Sequence, residues 1–145
     1  MRRTTVPYVV ELNGVAILVV DDDTDNLEII SYVVGQEGGS VRSARSARSA
    51  LKMLLDWTPD LLLFDLSMPD IDGFELLTTV RGIARLHSVP AIAVTAHAFE
   101  ADKRRCLEAG FARHISKPYD PNDLLLQIAQ VVGSEALQPS QTRTP

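Results

Sequence analysis

Several features that would indicate particular protein classes are scarce in this sequence. The single cysteine, Cys106, excludes an intrachain disulfide framework and fits a reducing compartment. Positive charge is also scarce: 14 Lys and Arg stand against 19 Asp and Glu, so no general attraction to nucleic acid or acidic membranes is expected. The apolar stretch near the N-terminus is interrupted by Pro7, Glu11 and Asn13. This interruption excludes a secretory leader or membrane span there, and we expect a cytoplasmic protein.

The composition is that of one soluble domain with its own core, because 46% of the 145 residues are hydrophobic and 23% are charged. We expect the domain to occupy residues 13–133. Residues 1–12 are expected to form a lead-in or linker. The polar tail, residues 134–145, is predicted to be flexible.

Five apolar, strand-like runs alternate with five helical patterns along the domain. The predicted strands cover residues 15–20, 41–43, 61–64, 90–95 and 112–116. In the first predicted helix Leu27, Ile30 and Val34 recur at helical spacing, and either Asp23 or Thr24 can cap it. This alternation predicts an α/β fold in which a parallel sheet carries helices on both faces.

The later helices carry signals of their own. In the second predicted helix the buried stripe is expected to consist of Ala47, Leu51, Leu54 and Leu55. The others are predicted over about 74–81, 99–109 and 121–132. Gly110 stands where a left-handed residue ends the fourth helix, and Pro121 stands in the first turn of the fifth.

Polar residues end or follow four of the strand-like runs, and they indicate a phosphoryl site. Asp21, Asp22 and Asp65 would share one cleft if the first and third strands are neighbours, and their mutual repulsion then calls for a divalent cation. Oxygen ligands suit Mg²⁺ or Mn²⁺ better than Zn²⁺. Thr95 and Lys117 offer the hydroxyl and the ammonium that suit a phosphoryl oxygen.

Together these residues resemble the receiver domain of two-component response regulators. The resemblance covers about residues 14–132 and rests on Val19-Val20-Asp21-Asp22, Asp65 with Met68-Pro69 and Asp72-Gly73, Val94-Thr95-Ala96, and Lys117-Pro118. It implies a single (βα)5 flavodoxin-like domain with a doubly wound parallel sheet of strand order 2-1-3-4-5. The alternation of strands and helices alone indicates only the parallel α/β class.

The resemblance also implies roles for the acids. Asp65 would be the phosphoacceptor, taking its phosphoryl group from a phosphohistidine of a histidine kinase or histidine phosphotransfer protein. Asp22 would bind Mg²⁺ directly, Asp21 would bind it through water, and the backbone carbonyl of Ser67 would complete the protein ligands. The chain would then be no ordinary enzyme but a phosphoacceptor that catalyses its own phosphorylation and slow dephosphorylation.

Further residues would sense the phosphoryl group and set how long it lasts. Lys117 would pair with Asp65 and then with the phosphoryl group, and Thr95 would close its hydroxyl onto it. The family's switch aromatic falls at His114, which is either that switch or a plain half-buried strand residue. Ser67 and His97 occupy the positions that tune hydrolysis of the acyl phosphate. We expect His97 to cover part of the path of the attacking water and lengthen the phosphorylated state.

Partner surfaces are predicted on two sides of the domain. By the resemblance, phosphorylation switches the surface of the fourth helix, fifth strand and fifth helix. Ile29, Tyr32 and Val33 widen the apolar face of the first helix, either as a dock for a histidine-bearing helix or as a broad core stripe. The apolar last helix indicates either a homodimer or partner surface, or packing of this helix on both the sheet and its neighbour. The chain would be a stand-alone receiver or, as we favour, part of a hybrid histidine kinase.

Two other functions compete with this interpretation. A phosphohydrolase of the haloacid dehalogenase type needs Asp-x-Asp-x-Thr after the first strand, but Asp25 stands at the Thr position and Thr24 comes one residue early. A receiver-fold module that never takes phosphate is the second alternative. The presence of all five site residues argues against it.

Overall fold

The computed structural model describes residues 8–96, 100–133 and 137–139. Within these ranges the central sheet has five parallel strands in the order β3-β2-β4-β5-β6. They are β2 (Ala16–Val20), β3 (Ser40–Ala44), β4 (Leu61–Asp65), β5 (Ala91–Thr95) and β6 (Arg113–Ser116). Counted from β2, this is the strand order 2-1-3-4-5 that the resemblance implied, so the fold class is confirmed.

Helices cover both faces of this sheet. They are α1 (Thr24–Gln36), α2 (Ala47–Met53), α3 (Gly73–Arg81), α4 (Glu100–Ala109) and α5 (Pro121–Val132), with a short 3-10 turn at Ala84–Leu86. Alternate strand residues point to opposite faces, so Ile17 and Val19 pack with α1 and α5, whereas Leu18 and Val20 pack with α2, α3 and α4. Among the described helices none is long and apolar enough to cross a bilayer.

The predicted helix ends are confirmed where they carried a specific signal. Asp23 caps α1, its side chain accepting a hydrogen bond from the backbone N–H of Asp25 at 3.0 Å. Gly110 follows α4 with φ +107°, a conformation that favours glycine. Pro121 begins α5, where its missing N–H costs no helical hydrogen bond.

The predicted stripe of α2 is wrong at one position. Ala47 and Leu54 are buried as expected, but Leu55 is 79% exposed. The helix ends at Met53, so Leu55 lies beyond the last turn, and helical spacing no longer decides which way its side chain points.

Both ends of the chain contribute a pair that the sequence analysis did not predict. β1 (Tyr8–Val10) lies antiparallel to β7 (Leu137–Pro139) in a separate two-stranded sheet. Leu12, placed in the expected lead-in, is fully buried. These residues lie within the ranges expected to be lead-in and tail, and the domain bounds stay a prediction. Residues 1–7, 134–136 and 140–145 lie outside the described residues.

Candidate functional site

The three predicted acids meet at the carboxyl edge of the sheet. Val20 at the end of β2 is in register with Phe64 near the end of β4, so the residues that follow them, Asp21 and Asp65, lie side by side. One carboxylate oxygen from each of Asp21, Asp22 and Asp65 lies within 4.8 Å of the others. Asp21 and Asp65 are 1% and 6% exposed, whereas Asp22 faces solvent. The cluster therefore has two buried members and one open one.

Lys117 reaches this cluster from the far edge of the sheet. Its backbone N–H donates to the carbonyl of Thr95 at 2.8 Å, which continues the pairing of β6 with β5. Its Nζ lies 2.9 Å from Oδ2 of Asp21 and 3.6 Å from Oδ2 of Asp65. The implied pairing with Asp65 is present, but the shorter contact is to Asp21.

The electrostatic environment keeps the lysine charged. Burial alone would lower the pKa of Lys117, but the hydrogen bond to Asp21 and the negative charge of Asp65 outweigh burial and raise the pKa. The ammonium group is thus available to neutralise whichever anion occupies the cleft.

The surroundings of Asp65 disfavour the ionised form of its side chain. Burial, followed by the negative charge of Asp21, raises the pKa of Asp65 from 3.8 to about 6, against the opposing effects of Lys117 and of the Ser67 N–H. That N–H donates to Oδ1 of Asp65 at 3.3 Å. The crowded carboxylates fit an oxygen-preferring divalent cation such as Mg²⁺, which would relieve their repulsion.

The loop after Asp65 folds back closely onto it. A Cβ atom on Gly73 would lie 2.5 Å from the backbone oxygen of Asp65 and 3.0 Å from Cα of Leu66, so only glycine fits there. Asp72 starts α3 with a capping box: its side chain accepts from the backbone N–H of Glu75, whose carboxylate accepts from that of Asp72. The loop therefore fixes the backbone around the acceptor carboxylate.

The remaining predicted residues lie at different distances from this centre. Thr95 ends β5, is fully buried and lines a groove of about 300 Å³ together with Ser67, Phe74 and Arg105. His114 is half-buried on β6 beside Ala93. His97 lies outside the described residues.

Two site residues were missed by the sequence analysis. Asn26 donates from Nδ2 to Oδ2 of Asp21 at 2.6 Å, and the Tyr119 hydroxyl donates to Oδ1 of Asn26. Burial, followed by the charges of Asp21 and Asp23, raises the pKa of Tyr119 to about 12. One signal was available: Asn26 precedes the buried Ile30 by four residues, so it is a polar residue on the core-facing side of α1.

The sheet order and the acidic cleft at its carboxyl edge define a protein of the flavodoxin-like class with a ligand site at the strand ends. Residues 17–129 match the family described as the response regulator receiver domain. The chain belongs to this family.

Individual relatives agree with this assignment. An uncharacterised 14.6 kDa protein of Leptolyngbya boryana is 41% identical over 114 residues, 79% of this chain and 87% of that protein. The transcriptional regulatory protein GltR of Pseudomonas aeruginosa is 35% identical over 116 residues, 80% of this chain but only 48% of GltR. The CheY-like receiver domain structure from Methanospirillum hungatei JF-1 has a TM-score of 0.75 at 33% identity, covering 84% of this chain and 94% of that one.

The resemblance stated from the motifs is therefore confirmed. The protein is a receiver domain of two-component signalling, a family that works with histidine kinases, and it is not a classical enzyme. The comparisons do not favour the phosphohydrolase or the inert module.

Proposed function

We propose that Asp65 accepts a phosphoryl group from a phosphohistidine in a reaction that needs Mg²⁺ and that the receiver itself catalyses. The observation that carries this proposal is the cleft in which Asp65 lies within reach of both Lys117 and the acids Asp21 and Asp22. A carboxylate with only a structural role would gain nothing from these charged neighbours. A carboxylate that accepts a phosphoryl group needs them.

An oxygen of the Asp65 carboxylate attacks phosphorus, the P–O bond forms, and the P–N bond to the histidine breaks. The imidazole leaves and takes up a proton from solvent. Lys117, already charged between Asp21 and Asp65, turns its ammonium toward the phosphoryl oxygens as negative charge reaches them. Asp21, Asp22, Asp65 and the backbone carbonyl of Ser67 would hold Mg²⁺, which when bound neutralises part of the phosphoryl charge.

The switch uses the neighbouring edge of the cleft. Thr95 ends the strand beside Asp65, and its hydroxyl would close onto the phosphoryl group. We propose that this movement reaches α4, β6 and α5 and that the half-buried His114 changes its packing with it. Ser67 and His97 would set the rate at which the acyl phosphate is slowly hydrolysed.

The partner surface is best supported at α1. Ile29 and Tyr32 are 47% and 66% exposed, too open for a core stripe. Beside them lies a mainly apolar groove of about 410 Å³ that includes Pro118 and Tyr119 and leads to Lys117. A helix bearing the phosphohistidine fits this surface, since it would place its imidazole at the cleft. We therefore propose that a histidine kinase or phosphotransfer protein docks here in the cytoplasm.

Self-association has less support. Leu124, Leu125, Ile128 and Ala129 of α5 are buried in the domain's own core, which accounts for much of its apolar content. A homodimer stays a prediction.

Phosphoramidate tests the proposed function, because its P–N bond mimics that of phosphohistidine. With Mg²⁺, we expect intact-protein mass spectrometry to show one added phosphoryl group that is labile to base and absent from Asp65→Asn. Continuous release of phosphate without a stoichiometric adduct would instead identify a hydrolase. Absence of any adduct, with acetyl phosphate as well, would contradict phosphorylation altogether.

A further inference from the structure

The Asp21 carboxylate accepts three hydrogen bonds, which is more than metal binding alone requires. Its Oδ1 accepts from the backbone N–H of Asp23 at 2.9 Å. Its Oδ2 accepts from Nδ2 of Asn26 at 2.6 Å and from Nζ of Lys117 at 2.9 Å. The carboxylate is 1% exposed, so these donors take the place of water and fix the plane of the carboxylate.

The orientation of Asn26 is itself determined. A carboxylate only accepts hydrogen bonds, so the amide nitrogen of Asn26 must face Asp21 and its oxygen must face away. That oxygen accepts from the Tyr119 hydroxyl. Asn26 is 8% exposed, and a flipped amide would place its oxygen against the carboxylate of Asp21, where two acceptors repel each other.

Lys117 is the member of this arrangement that the proposed transfer would move. It contacts both Asp21 and Asp65, and the proposed phosphoryl transfer draws it toward the new anion. Asn26 carries no charge and is bound to Asp21 and Tyr119 rather than to the acceptor, so it stays on Asp21 when the lysine moves. Tyr119 follows Lys117 by two residues but donates to α1 rather than to the acids.

We propose that Asn26 and Tyr119 are positioning residues that hold Asp21 in the orientation needed for Mg²⁺ binding, Asn26 directly and Tyr119 through Asn26. The proposal deepens the function proposed above and rests on it. It assigns the fixed geometry of the metal site to α1 and to the segment after β6, not to the acids alone.

Titration of the 145-residue chain with MgCl₂ in a calorimeter tests the proposal without any phosphoryl donor. Asn26→Leu keeps the size of the side chain but removes both hydrogen bonds, and should weaken the Mg²⁺ affinity by about tenfold. Tyr119→Phe removes one hydroxyl and should weaken the affinity by about threefold, because Asn26 keeps its hydrogen bond to Asp21 and loses only the one from Tyr119. Since the two act in series, the double variant should bind about as weakly as Asn26→Leu alone.

The chain offers matched controls for both variants. Thr78 is exposed on α3, so Thr78→Val, which removes one exposed hydroxyl, should leave the Mg²⁺ affinity unchanged. Asn122, exposed at the start of α5, provides the same control for an asparagine through Asn122→Leu. If Asn26→Leu fails to fold, Tyr119→Phe still decides, because it deletes a single oxygen atom.

Phosphorylation by acetyl phosphate adds a second measurement. The positioning variants should raise the Mg²⁺ concentration for half-maximal rate and leave the rate at saturating Mg²⁺ nearly unchanged. Equal or tighter Mg²⁺ binding by Asn26→Leu and Tyr119→Phe would overturn the positioning role while the proposed function stands. A wild-type protein that binds no Mg²⁺ would overturn both.

Discussion

In the ligand-free protein, burial has the largest effect on the pKa of Asp65. Its pKa is about 6 in the folded protein against an ordinary 3.8, with burial as the larger cause and Asp21 as the next. Between these values the folded state binds more protons than the unfolded state, so the free energy of unfolding falls as pH rises through this window. The carboxylate at the centre of the site therefore costs stability at neutral pH.

Asp65→Asn should consequently stabilise the metal-free protein at neutral pH, by about 3 kcal/mol. Urea unfolding in the presence of a chelator measures this difference. In buffer below about pH 4 the wild-type carboxyl is protonated, and the two proteins should unfold at similar urea concentrations. A stabilisation that persists unchanged in acid would show that desolvation of the charge is not its cause.

Gly73 is a second residue whose effect is fixed by its surroundings. In Gly73→Ala the new Cβ would lie 2.5 Å from the backbone oxygen of Asp65, and backbone cannot move away as a flexible side chain can. We expect a loss of about 2 kcal/mol or more in unfolding free energy and a lower rate of phosphorylation.

Gly35 supplies the matched control for this substitution. It lies in α1, and a Cβ there would meet nothing within 4 Å. Gly35→Ala should stabilise the protein by about 0.5–1 kcal/mol. Equal effects of the two substitutions would contradict the close approach of α3 to the acceptor.

A site residue could be predicted from the sequence when its place at the end of a strand was enough to identify it. Asp21, Asp22, Asp65, Thr95 and Lys117 were predicted because each follows or ends a strand-like run, and parallel strands bring those ends together. Asn26 could have been found from its place on the core-facing side of α1, but Tyr119 was missed because it joins the site through a hydrogen bond between residues 93 apart in sequence. No periodicity records such a pairing.

At the scale of elements, the end of α2 depends on a residue outside the helix. The guanidinium of Arg85 donates to the carbonyls of Leu54 and Trp57 at 2.5 and 3.1 Å and to the Thr58 hydroxyl at 2.6 Å. These carbonyls follow the last turn of α2, where helical partners run out. Arg85 thus ties α2 to the 3-10 turn that follows α3.

Arg85→Met should therefore lower the unfolding free energy by about 1 kcal/mol, since the apolar stem is kept and the hydrogen bonds are lost. Arg48→Met, at an exposed position of α2, should change it by less than about 0.5 kcal/mol. Thermal unfolding followed by circular dichroism compares the two. Similar losses in both variants would show that the charge of this region matters and the carbonyl contacts do not.

Element ends explain the errors in secondary structure as well. Leu55 fitted the helical stripe by spacing, but the helix ends two residues earlier, so spacing ceased to apply. The strands Tyr8–Val10 and Leu137–Pro139 are three residues each and come from opposite ends of the chain. Each is a strand only because the other is present, which a local pattern does not reveal.

At the scale of the whole molecule, the topology brings distant residues to one edge. Alternation of strands and helices predicted the parallel sheet, but the order β3-β2-β4-β5-β6 came from the family resemblance. That order makes β2 and β4 neighbours, which brings Asp21 and Asp65 together and leaves Lys117 to reach in from β6. The site is thus a property of the complete sheet.

The most direct test of this account is to locate the phosphoryl group chemically. After incubation with phosphoramidate and Mg²⁺, borohydride reduces an aspartyl phosphate to homoserine, and peptide mass spectrometry then locates the changed residue. We predict conversion of Asp65, lost when a chelator replaces Mg²⁺, with Asp21 and Asp22 unchanged. Modification at another residue, or at Asp65 independently of Mg²⁺, would contradict the account.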